Sequence, residues 1–200
     1  GMQQEVSRVL TCIDITEAVV DEAIAQGCQM IVSHHPLIFR GLKNLVPEQS
    51  YIHRTLVKAI KNDIALYCAH TNLDNAAGGV NYKMAEKLGL NNVSPLTPLP
   101  SEKTANIENA ELCGSGVIGV LNEKISSEEF EELVKKTFKC EFVRTNNKKT
   151  TVKKVALCGG SGADFIRDAE RKGADVFLTG EIGYHRFFGY GGKLLLMELG

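Results

Sequence analysis

The chain has 200 residues, a formal net charge of −1 and 44 % hydrophobic residues. That is the composition of one globular domain or two small lobes, and it lacks the clustered Lys and Arg of a nucleic-acid footprint. No stretch approaches the roughly 18 consecutive apolar residues of a membrane span, and no signal peptide is visible, so a cytoplasmic location is expected.

Six cysteines (Cys12, Cys28, Cys68, Cys113, Cys140 and Cys158) are scattered without CxxC spacing. Several sit in apolar runs, which fits buried free thiols better than a disulfide framework or a zinc ribbon.

Val9 to Asp14 reads as a buried strand. Thr16 then precedes Glu17, and Ala18, Val19, Ala23 and Ile24 recur at helical spacing up to Gly27. Met30 to Ser33 is the next strand, and an amphipathic helix carrying Ile52, Leu56, Val57 and Ile60 lies between Glu48 and Asn62. Ile64 to Ala69 is a third strand, and Tyr82 to Leu88 a helix closed by Gly89. Asn91 to Asn109, with Pro95, Pro98 and Pro100, reads as a linker.

Beyond it, Cys113 to Leu121 is a strand, and Ser126-Ser127-Glu128-Glu129 opens a helix running to Phe138. Asn146 to Lys154 is basic and reads as a solvated hairpin or loop. A second series follows: strand Val155 to Cys158, helix Asp164 to Lys172, strand Asp175 to Thr179 and strand Lys193 to Leu199. Alternating strands and helices imply an α/β fold of two lobes with mixed, largely parallel sheet and helices on the faces. The lobes are expected to be 1–100 and 101–200. The apolar strand pattern running to the last residue reads as a fragment.

In an open parallel sheet, ligands collect beyond the carboxyl ends of the strands. Three polar clusters fall there: Ser33-His34-His35-Pro36, Ala69-His70-Thr71-Asn72-Leu73-Asp74 and Thr179-Gly180-Glu181-Ile182-Gly183-Tyr184-His185. Four of the five histidines are therefore at strand ends, and His53 alone lies in a helical pattern. Imidazole and carboxylate together are donors for zinc, manganese or iron. Consecutive side chains on an extended backbone diverge, so His34 and His35 suit two neighbouring ions better than one. A paired site polarises a substrate oxygen and supplies a nucleophile near neutral pH.

Cys158-Gly159-Gly160-Ser161-Gly162 has the look of a phosphate-cradling turn. It lacks the lysine of a P-loop and the third glycine of GxGxxG, and a tight strand-to-helix turn explains it equally well. Gly114-Ser115-Gly116 is not a nucleophile elbow.

The runs CIDIT, SHHPLIFRGLKNL, AHTNLDNAAGGVN, CGGSG and TGEIGYHRFF, in this order along nearly the whole chain, resemble the NIF-three-like dinuclear metal centre proteins, homologues of GTP cyclohydrolase 1 type 2. The resemblance implies a two-lobed α/β fold, subunits assembled as a toroidal hexamer, and two divalent metal ions (Zn, Mn or Fe) per subunit. It implies His34, His35 and Asp74 as ligands and His70 lining the same site. Glu181 and His185 are implied as acid/base or substrate-contacting groups. The family's G-H-x-x-x-E pattern normally follows the last strand, and Gly200 stands at its start. By the same resemblance, the family's first helical segment before Val9 and the large inserted domain of longer members are expected to be missing here.

The expected function is a metal-dependent hydrolase of a nucleotide or pterin-like small molecule, with His70 or His185 shuttling protons. The alternative is a non-catalytic, metal-binding ring scaffold or regulatory interaction protein.

Overall fold

The computed structural model describes residues 3–148, 150–188 and 194–200. They form two compact units, Gly1–Asn72 and Leu73–Gly200, so the division falls earlier in the chain than residue 100. Among the described residues no helix is long and apolar enough to cross a membrane.

The first unit is built on a parallel three-stranded sheet in the order β1 (Val9–Cys12), β2 (Met30–Ser33), β3 (Ala65–Cys68). Helix α1 (Glu17–Ala25) connects β1 to β2, and α2 (Tyr51–Lys61) connects β2 to β3. The Thr16 hydroxyl caps α1 by accepting from the Val19 N–H, which would otherwise lack a partner in the first turn. The helix expected between Glu48 and Asn62 runs from Tyr51 to Lys61. Pro47–Gln49 is a 3-10 turn, Ser50 is extended at φ −162°, and its hydroxyl caps α2 through the His53 N–H. The core between sheet and helices is Ile15, Val20, Ala23, Cys28, Ile31, Ala59 and Ile64. Ile31 and Val20 are fully buried there, each stabilising the unit by about 1.5–3 kcal/mol.

The second unit holds a six-stranded mixed sheet. Helix α3 (Thr71–Asp74) spans the division between the units, and α4 (Val80–Lys87) follows. Then come β4 (Asn91–Pro98), α5 (Ser101–Thr104), β5 (Gly114–Ser126), α6 (Ser127–Phe138), β6 (Arg144–Thr145), β7 (Thr151–Cys158), α7 (Ile166–Arg171), β8 (Val176–Thr179) and β9 (Leu195–Glu198). The strand order is β4-β5-β7-β8-β9-β6, with β7, β8 and β9 parallel and the other pairings antiparallel.

Side chains alternate across this sheet. Val155, Leu157, Val176, Leu178, Leu195 and Met197 pack on one face with Phe130 and Val134 of α6. Ala156, Phe177 and Leu196 pack on the other with Ile166 and Ala169 of α7. Burial on both faces is why these strands read as continuous apolar runs rather than alternating ones. Helix α6 opens with a capping box in which Ser126 and Glu129 satisfy each other's backbone N–H. Hydrogen bonds donated by the Ser126 N–H above all, and then by its hydroxyl, hold the Glu129 carboxyl below its ordinary range.

Two expectations change. The first part of the proline-rich stretch read as a linker is strand β4, paired with β5 through Pro95↔Val117 and Pro98↔Gly114. It is an edge strand, the one place in a sheet where missing proline N–H groups cost little. Of the basic run 146–154, Thr151 to Lys154 belongs to β7, and Lys149 lies outside the described residues, as does Lys193 of the last expected strand.

The Cys158–Gly162 stretch is a strand-to-helix turn whose Gly159 and Gly162 amides are bonded within the protein. The Gly159 N–H donates to Asn81 Oδ1 at 2.8 Å and the Gly162 N–H to Thr179 Oγ1 at 2.9 Å. Gly160 takes φ +63°, and its carbonyl accepts from the N–H groups of Gly180 and Glu181 and from Thr179 Oγ1 at 2.9–3.1 Å. A Cβ on Gly162 would meet the Cys158 Cβ at 2.6 Å and Thr179 Oγ1 at 2.7 Å. The glycines answer this close approach without invoking an anion. Gly162→Ala is therefore expected to cost about 1–3 kcal/mol as overpacking, read as a lower urea midpoint at unchanged slope.

Candidate metal centre

The parallel register brings Cys12, Ser33 and Cys68 side by side at the carboxyl ends of β1, β2 and β3. The residues that follow β2 and β3 therefore emerge at the same sheet end. Next along the chain are His34 and His35 after β2, and Ala69 and His70 after β3.

The backbone at this point is fixed from several directions. The N–H groups of His34 and His35 donate to the carbonyls of Cys12 and Ile13 at 3.2 and 2.9 Å. The His34 carbonyl accepts from Cys68 Sγ at 3.0 Å, and the His35 carbonyl from the buried Ser33 hydroxyl at 2.8 Å. Pro36 then removes the next donor and ends the strand pairing. The chain bends at His34 and His35, so their side chains do not diverge as an extended backbone would require. Their ring centroids lie 5.0 Å apart, and those of His34 and His35 lie 5.2 and 5.5 Å from His70.

Among the described residues, His34, His35 and His70 are the one group of three or more such donors able to hold an ion, with their ligand atoms all within 4.8 Å of one another. Two of the rings have a defined outer partner. His34 Nδ1 donates to the Ala69 carbonyl at 3.0 Å, and His35 Nδ1 to the Asp14 carboxylate at 2.9 Å. Both partners are acceptors, so Nδ1 carries the hydrogen in each bond. A ring nitrogen held by a carbonyl or carboxylate is the arrangement that orients metal-binding histidines. The donor set fits a divalent ion.

The other expected site residues belong to the second unit. Asp74 ends α3, four residues after His70, and its carbonyl accepts from Asn81 Nδ2 at 2.9 Å. Glu181 follows β8, is exposed, and donates its N–H to the Gly160 carbonyl at 3.1 Å. His185 is exposed in the 3-10 turn Tyr184–Phe187, its ring edge-on to Tyr184 at 5.3 Å. His53 lies buried in α2, its Nδ1 bonded to the backbone of Val46.

Two residues with a part in this geometry escaped the sequence reading. Asp14 was legible only as a strand end within CIDIT, and Asn81 only as the last letter of GGVN. All six cysteines are free thiols. Burial, and then the nearby charge of Asp74, push the Cys158 thiol up to about 11.

A family model described as Duf34/NIF3 (NGG1p interacting factor 3) matches residues 1–197. The chain belongs to the Duf34/NIF3 family. A Clostridium perfringens protein named GTP cyclohydrolase 1 type 2 homolog is 33 % identical over 92 % of this chain and 67 % of its own length. The yeast NGG1-interacting factor 3 is 32 % identical over 90 % of this chain and 64 % of its own. Among solved structures, a Bacillus cereus protein related to NIF3 superposes with a TM-score of 0.86 at 29 % identity, covering 98 % of this chain and 79 % of that one. The family membership accounts for the two sheets and for the order of the motifs along them.

Because its thiol is neutral at ordinary pH, Cys158 is expected to resist iodoacetamide in the folded protein up to roughly pH 10 and to react on unfolding. Mass spectrometry of the alkylated peptides measures this directly.

Proposed function

We propose that this Duf34/NIF3 chain binds divalent metal at the carboxyl end of its first sheet and hydrolyses a nucleotide or pterin-like small molecule. The convergence of His34, His35 and His70, with two of the three rings oriented through Nδ1, is the observation that carries this reading. His34 and His35 would each present Nε2 to an ion, and Asp74, four residues beyond His70 along the chain, would supply the carboxylate. Two divalent ions per subunit, of Zn, Mn or Fe, are the expected complement. When bound, such a pair supplies Lewis acidity toward a substrate oxygen and lowers the pKa of water.

Within that scheme the protein's own groups hold and move protons. Asp14 keeps the His35 ring in the Nδ1-protonated tautomer. His70, whose ring stands edge-on to its two neighbours, would accept a proton from water or pass one to a leaving group. His185 and Glu181 are candidate acid/base or substrate-contacting groups. The relatives' names, GTP cyclohydrolase 1 type 2 homolog, support a nucleotide as the substrate class. Subunits are proposed to assemble as a hexamer of the cytoplasm, with a solution mass near six times 21.8 kDa.

A second reading is favoured by the segment after the histidines. Ile38, Phe39, Leu42, Leu45 and Val46 are all exposed, Phe39 to 78 %. Exposed apolar clusters mark interaction surfaces, and the yeast relative is named as an interacting factor. In that reading the chain is a metal-binding ring scaffold without catalysis.

His34→Ala and His35→Ala are expected to reduce bound metal, assayed by elemental analysis of the purified chain, and to abolish hydrolysis of GTP and pterin substrates. Asp14→Ala is expected to lower zinc affinity about 10- to 100-fold while leaving the fold intact, as loss of an outer carboxylate does elsewhere. Unchanged metal content in the histidine variants would remove the metal reading. Full cellular function in metal-deficient His34→Ala would favour the scaffold.

A further inference from the structure

The CGGSG turn plays no part in the metal reading as stated, yet one of its amides leads directly to a proposed ligand. Gly159 donates its N–H to Asn81 Oδ1 at 2.8 Å, and Nδ2 of the same side chain donates to the Asp74 carbonyl at 2.9 Å. Asn81 sits in the first turn of α4 and is 1 % exposed. A buried amide bonded at both ends cannot rotate without stranding a donor and an acceptor away from water.

The next residue is held as well. The Gly114 N–H donates to the Asn75 carbonyl at 2.9 Å, and the Ser115 hydroxyl to Asn75 Oδ1 at 3.1 Å. On the other side the backbone of Gly79 approaches so closely that a Cβ there would lie 2.0 Å from the Leu73 carbonyl oxygen. The main chain through Leu73, Asp74 and Asn75 is thus fixed by β5, by the start of α4 and by the glycine turn. A metal ligand has to be held to within about 0.5 Å, and supporting hydrogen bonds are the usual means.

We propose that Asn81 is a positioning residue that clamps the Asp74 backbone to the CGGSG turn and so fixes where the Asp74 carboxylate is presented to a divalent cation. The inference rests on the reading of Asp74 as a metal ligand. It gives the glycine turn a definite task. Gly159 offers an N–H at the level of Asn81, where a Cβ would already touch the Met84 sulfur at 3.4 Å.

The test is a zinc titration of the full chain against a chromophoric chelator, paired with urea unfolding of the metal-free protein. Asn81→Ser is expected to bind zinc about tenfold more weakly at a urea concentration where it is fully folded. Asp74→Ala is expected to lose more. The double variant should bind no more weakly than Asp74→Ala, because the clamp then has nothing left to place. A merely structural Asn81 would lower the urea midpoint and leave zinc affinity unchanged, which would overturn the clamp while Asp74 kept its role. Unchanged affinity in Asp74→Ala would instead remove Asp74 from the site, and the clamp with it. Should Asn81→Ser fail to fold, Asn81→Asp decides by the same criterion. It still accepts from Gly159 and lacks only the donor to Asp74, and its added negative charge by itself favours a cation. A fall in affinity there reports lost positioning.

Discussion

Parallel pairing in the first sheet is the constraint on which the candidate site depends. Parallel strands of equal length, paired in register, finish together. The residues after β2 and β3 then share one sheet end although they are 35 positions apart in the chain, as His34 and Ala69 are. One residue of slip between β2 and β3 would move the Ala69 carbonyl away from the His34 ring and turn the strand's buried side chains outward. Buried Ile31 and Ser33 prevent that slip, since both sit on the face covered by α1 and α2. The apolar core therefore sets the spacing of the polar groups.

The second unit solves a different problem with a different sheet. Its three parallel strands are buried on both faces, and antiparallel partners close both flanks. Such a sheet is stiff, and its loops inherit that stiffness when their backbone groups are tied into it. The glycine turn after β7 shows the consequence. Its sequence has the outward look of an anion cradle, but its N–H groups at Gly159 and Gly162 are committed to Asn81 and Thr179. Whether a glycine-rich turn binds phosphate depends on which way its amides point, and composition does not fix that.

This difference defines what was legible in the residues alone. The strands and principal helices could be read because burial repeats along the chain: Met30 to Ser33 and Val155 to Cys158 are apolar runs of strand length, and Ser126 with Glu129 spells a helix start. The histidines could be placed at strand ends for the same reason. Strand β4 was hidden because its two prolines, Pro95 and Pro98, argue against sheet, and only its edge position, a tertiary fact, makes them harmless. Asp14 and Asn81 were hidden because a hydrogen-bonding side chain carries no periodic signal. Its partner is 21 residues away for Asp14 and 78 for Asn81. The close approach of the His34 and His35 rings was also out of reach, since it depends on a bend at these two residues, directly after β2 ends at Ser33.

The Gly160 carbonyl carries one more consequence. A single oxygen accepts from the backbone of Gly180 and Glu181 and from the Thr179 hydroxyl, across a gap of about twenty residues in the chain, 19 in the case of Thr179. The two loops that leave β7 and β8 are therefore joined at one atom. Gly180 and Glu181 cannot swing aside without breaking bonds to the Gly160 carbonyl. An insertion in the TGE loop would have to keep the Gly160 peptide in its left-handed conformation, and a change in the glycine turn would be felt at Glu181. In mechanical terms the starts of the two loops, at Gly160 and at Gly180 and Glu181, form one lip on the second sheet.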